Sequence, residues 1–555
     1  MTMTTELSCD VLVIGGGPAG CWAALTAREA GASVVLVDKG YVGTSGATAP
    51  TNSTVHYIVP DDATQRLGMV GSRVKEGQPF IDPSWVERVY DQTCANLDRL
   101  TEWGYEWPRN ELGGEFRGNL RGPDYLQFLR RRLRKTGVKI LDHSPALSLL
   151  QANDGVAGAR GVSRAYGRHA AGTWDVRANA VVMATGGCAF RSGATGTFNL
   201  TGDGYLMAAQ AGATFSGLEF TSNYAIAPAT GALTKGIIYR SASFSDAQGQ
   251  AVPRPQLFRK LADGERVFAV LDKAGDYLAE GYRQGQPNIF LYFNRMGSDP
   301  FRVPYEIRLF YEGTVRGTGG LLTSEQCETS VPGLFAAGDV VSKERLVGPA
   351  ASGGGPASSW TNASGTWAGA AAARRAREVG ARGAERVVHD VTDISGASTS
   401  KDTAAAEKDI PYREAFERVQ AQVVPLDRNY FRTGEGLRAG LAELDALWAT
   451  RHRIAPEAHA DTPDGQVRAQ VRLHELNAMI ASARLFFTSA LAREESCVLH
   501  RREDFPQSPA SAPALPPYHI HVSGLDTLRQ WRVPLAWTPA APRTQPAAIA
   551  EVATA

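Results

Sequence analysis

Asp10-Val11-Leu12-Val13-Ile14-Gly15-Gly16-Gly17-Pro18-Ala19-Gly20 is an apolar run that stops in glycine, and its reading decides the fold. The run suits a short buried strand, Asp10–Ile14. It is followed by a predicted helix over Ala19–Glu29, which keeps Ala23, Ala24 and Ala27 small for close packing, and by a second strand over Ser33–Val37. Together they make a βαβ unit with Gly15-x-Gly17-x-x-Gly20 at the first turn. In that setting Gly15 permits the tight turn, Gly17 lets backbone approach a pyrophosphate, and Gly20 lets the helix close on the sheet. Pro18 and Ala19 open the helix, whose N-terminus faces the negative charge. Asp38 ends the second strand, where a carboxylate accepts from both ribose hydroxyls and repels a 2′-phosphate. This favours FAD or NAD over NADP.

Working outward, Ala178–Met183 before Ala184-Thr185-Gly186-Gly187 has the same character, as does Leu334-Phe335-Ala336-Ala337 before Gly338-Asp339. Three such strands spread so widely imply one sheet built from distant segments with other material inserted between them. The predicted fold is α/β: a Rossmann-like dinucleotide domain of glutathione-reductase type, with an inserted α+β capping domain and a helical C-terminal domain. The dinucleotide domain is discontinuous, over residues 1–221 and 319–380. The cap spans 222–318, the helical domain 409–505, and residues 506–555 form an extended tail rich in proline and alanine. Helical spacing marks Tyr412–Val424 and Gln466–Glu494. The stretch from Ala381 to Lys408 reads as a surface connection. The basic run Arg130–Lys135 reads as the wet side of a helix.

A chain of 555 residues with 58 Lys+Arg against 57 Asp+Glu has no overall field, which argues against nucleic acid as a partner. Six scattered cysteines form no CxxC, so neither zinc nor an iron–sulfur cluster is expected. No apolar stretch is long enough for a membrane span, and the N-terminus shows no signal pattern, so the expected location is cytoplasmic. Only one complete glycine fingerprint occurs, whereas a second nucleotide domain would usually show another.

The order of motifs resembles the flavoprotein family of succinate dehydrogenase and fumarate reductase, to which L-aspartate oxidase and the adenylylsulfate reductase flavoprotein also belong. The resemblance rests on Ala184–Gly187, Leu200-Thr201-Gly202-Asp203-Gly204, Gly319-Gly320, Val331–Asp339, Phe431–Glu435 and Ser489–Pro506. It implies FAD, a cap closing over the flavin, and a substrate handled by hydride transfer at flavin N5. Gly15, Gly17, Gly20, Asp38 and Lys39 are then expected at the pyrophosphate and adenosine, with Ala146 nearby. Ser45, Gly46 and Ala47 lie under the flavin ring, Ala184, Thr185 and Gly186 line the channel, and Asp203, Gly338 and Asp339 meet sugar or ribityl oxygens. A helix starting after Trp360-Thr361-Asn362 is expected to aim its N-terminus at the flavin.

The chain also departs from that family. Succinate dehydrogenases attach FAD to a histidine, but Gly43–Pro50 contains none, so non-covalent FAD is expected. The His-Pro-Thr, His-Tyr and Asn-Arg-Leu elements of the dicarboxylate enzymes correspond here to Phe220–Tyr224, Val315–Thr318 and Ala357–Trp360, and none of the three matches. The glycines of Ser364–Gly369 suggest a short, interrupted helix, closer to the adenylylsulfate reductase branch. The candidate catalytic residues are Arg316, Arg240, Tyr239 and Trp360, with Arg308 beside them, and Arg316 leads because it directly precedes the rejoining of the cap. The expected substrate is a small anionic molecule other than succinate or fumarate, with oxygen, a quinone or a partner protein exchanging electrons; a homo-oligomer is compatible. The alternatives are adenylylsulfate-reductase-like chemistry on a sulfur substrate and a non-catalytic flavin-containing binding subunit.

Overall fold

The structure is a computed structural model that describes residues 4–77, 79–109, 113–167, 169–234, 236–285, 287–351, 353–394, 409–456, 462–506 and 517–535. The opening unit forms as β1 (Thr4–Ile14), α1 (Pro18–Glu29) and β2 (Val34–Val37). β1 lies parallel to β2 and to strand Gly172–Met183, with Leu12 between Val35 and Val181. Strand Lys139–Leu141 extends the sheet beyond β2, and Leu334–Ala336 pairs parallel with Val181–Met183. Strands Gly155–Ser163, Ala146–Ala152 and His389–Asp390 continue it antiparallel at the other edge. The sheet is thus assembled from widely separated segments, as its glycine-ended strands imply. The parallel strands are the apolar ones: Val11, Leu12, Val13, Val181 and Val182 are fully buried, because helices cover both faces.

The helix Gly354–Val379 packs along α1 at backbone contact distance. A Cβ on Gly365 would stand 2.4 Å from the Ala19 carbonyl oxygen, and one on Gly369 2.3 Å from that of Ala23. Those glycines lie within an unbroken helix of 26 residues, which corrects the expectation of a short, interrupted one. Their role is close approach, which a glycine-to-side-chain change would prevent.

Antiparallel strands Tyr224–Pro228, Tyr305–Tyr311, Val267–Val270 and Ser243–Asp246 form a second sheet with its own apolar cluster, including Ile226, Phe244, Val267, Phe290 and Phe293. Helices Tyr412–Val423, Gly434–Ala449 and Pro463–Ala492 instead share the main core, since Leu444, Leu476, Met479 and Phe486 join the cluster that holds β1.

Two expectations fail. Residues 518–534 are not a loose tail: Tyr518–Ser523 and Arg529–Pro534 form a hairpin whose first strand pairs with Phe215–Ser216. Tyr518, Ile520 and Val522 alternate inward while His519 and His521 are less buried, a period-two pattern that the surrounding prolines conceal. The rest of the expected tail, 507–516 and 536–555, lies outside the described residues, as do 395–408 of the expected surface connection. Nor is the whole run Arg130–Lys135 on the wet face of helix Gly122–Lys135. Arg130 is buried, paired with Asp142 at 2.6 Å and stacked on the Tyr41 ring, because it falls on the same helical stripe as Leu126 and Leu133. Among the described residues no helix is long and apolar enough to cross a membrane.

Candidate active site

The β1–α1 turn is cut to fit backbone on one side and a ligand on the other. Gly15 has φ +108, and a Cβ there would lie 2.3 Å from the Ala184 carbonyl oxygen; a Cβ on Gly20 would lie 1.8 Å from the Gly15 oxygen. Gly17 differs, with nothing within 4 Å of its Cβ position. α1 starts at Pro18 without a side-chain cap on its N-terminal N–H groups. Those groups open onto a cleft lined by Gly15, Gly17, Pro18, Ala19, Asp38, Lys39, Ser45, Gly46, Ala47, Ala146, Ala184, Thr185, Gly186, Asp203, Gly338, Asp339 and Thr361. Gly20 lies behind the turn, closing helix on sheet. Gly16, Thr48, Ser144, Asn199, Leu200 and Met207 also line it; of these, Thr48 and Asn199-Leu200 adjoin motifs legible in the chain, while Ser144 and Met207 carry no local signal.

Charge inside the cleft is arranged by short contacts. Asp38 accepts from the Gly16 amide and, through its other oxygen, from the Gly40 amide and Ser45 Oγ, at 2.7 to 2.8 Å. This ties the glycine turn to the Ser45 loop. Lys39 Nζ lies 2.5 Å from Asp203, 2.9 Å from Glu475 and 2.8 Å from Thr201. Burial works against the ammonium, but Asp203 and Glu475 outweigh it and hold Lys39 above the ordinary lysine range. Asp203, mostly shielded from solvent, is kept below the ordinary carboxyl range by Lys39 against the cost of its burial. Lys343, fully buried, donates to Asp339 at 2.8 Å and braces it from behind.

A dinucleotide fits this donor set. The cleft offers uncapped helix amides, a glycine with open space before it, a strand-end carboxylate, and Thr185 Oγ1, which is buried with no hydrogen-bond partner among the described residues. No histidine, cysteine or tyrosine lines it among the described residues.

A second cavity shares Pro18, Ala47, Thr48, Asp339 and Thr361 with the cleft, so the two are continuous neighbours. Its other walls are Thr51, Asn52, Ser53, Tyr125, Arg316, Gly353, Gly354, Ser358 and Asn362. Here Tyr125 Oη accepts from Trp22 and donates to Asn362 Oδ1, leaving the buried Asn362 Nδ2 without a partner among the described residues. Burial pushes the Tyr125 phenol far above its ordinary value, so it stays protonated. Arg316 reaches the cavity from the turn that follows the short 3-10 helix Gly313–Val315, just before Gly320–Leu321 pairs with Phe215–Ser216. Its Nη1 is bonded to Glu312 and, at 3.0 Å, to Thr234, while Glu312 also accepts from Asn223 at 3.1 Å.

The remaining predicted catalytic residues are placed elsewhere. Trp360 is buried in the second turn of helix Gly354–Val379, packed against Trp85 and Trp367, and its indole N–H donates to the Gly338 oxygen at 3.0 Å. That helix begins at Gly354, six residues before Trp360, because Gly353 at φ +58 turns the chain into it; its N-terminus, without a side-chain cap among the described residues, meets the second cavity. Tyr239 is buried in the cap's own core against Tyr305, where burial pushes its phenol well above the ordinary range. Arg240 and Arg308 are exposed on the cap and line neither cavity. An aromatic neighbour of a motif in sequence is thus a packing residue in space, since a helix turns it about 100° away from the next residue.

Residues 10–235 match the FAD binding domain family, and residues 421–518 match the fumarate reductase flavoprotein C-terminal family. The chain is similar to one of the subunits of the fumarate reductase (CoM/CoB) of Methanothermobacter marburgensis, at 25% identity over 91% of this chain and 96% of that protein. It is also similar to the L-aspartate oxidase of Mycobacterium bovis, at 26% identity over 60% of this chain and 68% of that protein. In fold it resembles a mutant of the E. coli quinol fumarate reductase, with a TM-score of 0.77 and 20% identity, covering 97% of this chain and 99% of the other. The adenylylsulfate reductase of Archaeoglobus fulgidus gives a TM-score of 0.73 at 18% identity, covering 97% of both chains. The chain belongs to the flavoprotein family of fumarate reductase and L-aspartate oxidase, and it is an FAD-dependent oxidoreductase.

Proposed function

We propose that the enzyme exchanges a hydride with a small substrate carrying one anionic group, bound in the cavity between the cofactor cleft and the cap hinge. The supporting observation is that Arg316 and the N-terminus of helix Gly354–Val379 converge on that cavity. Both favour a negative charge, the first by a forked cation and the second by backbone N–H groups and the helix dipole. Bound FAD supplies the two-electron acceptor or donor.

The protein's part is to position and to stabilise charge. Glu312, buried and bonded to Arg316, Thr234 and Asn223, fixes the guanidinium direction and offsets part of its charge. Arg316 is the one cationic side chain in the wall of the cavity among the described residues, and no histidine lines it. A dicarboxylate held by two cations with imidazole acid–base help therefore suits the cavity poorly. Thr48, Thr51, Ser53 and Ser358 offer hydroxyls to a neutral polar remainder of the substrate. Asp339, braced by Lys343, stands where the two cavities meet and holds the substrate's reacting end near the cofactor.

A sulfur oxyanion belongs to the same ligand class, so the test spans both. Anaerobic titration with monocarboxylates, amino acids, dicarboxylates and sulfur oxyanions should bleach the flavin band with a monoanionic compound first. Arg316→Ala should then lower kcat/KM by about 10²–10³, with FAD content unchanged. Unchanged turnover and affinity in that variant would remove Arg316 from the site. Preference for a dicarboxylate would overturn the single-anion reading.

A further inference from the structure

A third cavity, of about 580 Å³, shares no wall residue with the other two and falls in the size range of small-molecule sites. It lies between the antiparallel part of the main sheet and helices Asp203–Gln210 and Pro463–Ala492. Its fixed charges are answered within the protein. Arg160 is shared by Asp175 at 2.8 Å and Asp390 at 3.1 Å, and Arg451 lies 3.6 Å from Asp526. Three neutral polar atoms are not answered. Gln210 Oε1, His474 Nε2 and Asn477 Oδ1 are buried in its wall without a hydrogen-bond partner among the described residues. Burying such atoms unpaired is costly, so three on one cavity ask for a common partner. Burial keeps the His474 imidazole below its ordinary value, hence uncharged.

The same histidine adjoins a wall residue of the cofactor cleft. His474 Nε2 stands 4.0 Å from Asp203 Oδ1, and Asp203 with the adjacent Glu475 grips Lys39. Asp203 and Lys39 both line the cleft.

We propose that this third cavity is an effector site for an uncharged small molecule rich in hydroxyl or N–H donors, read at the FAD site through His474, Asp203 and Lys39. Two amide oxygens call for donors, a neutral imidazole takes either role, and charge compensation leaves no cation to hold an anion. Binding that engages His474 shifts the Asp203–Lys39 pair and with it the affinity for FAD; linkage requires FAD to shift effector affinity equally.

Calorimetric titration of the holoenzyme with adenosine, uridine and myo-inositol, and with AMP as the charged counterpart of adenosine, tests this. At least one neutral probe should bind, and AMP should bind more weakly than adenosine. Asn477→Leu and Gln210→Met, near in volume and lacking the acceptor, should each weaken that probe about tenfold or more. Their melting temperature, at or above the parent's, shows that they fold. A saturating neutral probe should change FAD affinity by about fivefold or more. The proposal is overturned if none of the neutral probes binds and the cavity holds water alone, if AMP binds as tightly as adenosine, if neither variant weakens binding, or if FAD affinity does not move.

Discussion

Gly17 and Gly20 sit three residues apart in one turn but answer to different neighbours. A methyl group on Gly20 would overlap the Gly15 carbonyl, whereas one on Gly17 would meet no protein atom. Gly20→Ala should therefore destabilise the cofactor-free protein by about 3 kcal/mol or prevent folding. Gly17→Ala should leave cofactor-free stability within about 0.5 kcal/mol but weaken FAD about tenfold or more. Thermal melts without FAD, set beside FAD titrations, separate the two. A Gly17→Ala protein that binds FAD normally would mean the pyrophosphate passes elsewhere. Gly15 and Asp38 are legible because each lies at a fixed offset from a strand end, whereas Asp203 is legible only through the family's Thr201–Gly204 motif. Trp360 and Tyr239 were misread because an aromatic beside a motif has no sequence mark that separates a wall from a core.

At the scale of elements, the start of helix Gly354–Val379 makes stability depend on pH. His56 lies under its first turn, with Nδ1 3.2 Å from the Tyr90 hydroxyl, its backbone N–H donating to Ser359 Oγ, and its Nε2 2.2 Å from where a Cβ of Gly355 would stand. Burial, helped by the positive charge of Arg73, pushes His56 down to about 4. Below its ordinary value of about 6.5 the unfolded chain takes up a proton that the native chain refuses until about 4, so native stability falls as pH drops through that window. The loss should reach about 2 kcal/mol by pH 5. In urea unfolding, the loss between pH 7 and pH 5 should be larger by about this amount in the parent than in His56→Gln, which keeps the contributions of the buried His474 and His500. Parallel pH profiles for the two proteins would mean that His56 titrates normally. The existence of this helix could be read from its small residues, but not its start: Gly353 and Gly354 look like any loop glycines until their neighbours are known.

For the whole molecule, the cleft draws on residues from Ile14 to Thr361, so FAD ties together segments that are remote in the chain. At about 100 times its Kd, FAD should add about 2.7 kcal/mol to stability and raise the melting temperature of cofactor-free protein. With no histidine, cysteine or tyrosine in the wall among the described residues, acid denaturation followed by filtration should carry all the yellow colour into the filtrate. Colour retained on the precipitated chain would show a covalent bond.

The sequence by itself determined the dinucleotide turn, the discontinuous sheet and the main helices, because each is written in short-range periodicity or in glycines whose spacing is fixed by backbone geometry. Only the tertiary structure decided which arginine reaches a cavity, that Tyr239 and Trp360 are packing residues, and that the segment around Ile520 closes a sheet with Phe215. Those outcomes depend on contacts between residues hundreds of positions apart, such as His521 beside Ser216. No local pattern encodes them, since burial and charge pairing are set by whatever the folded chain brings alongside.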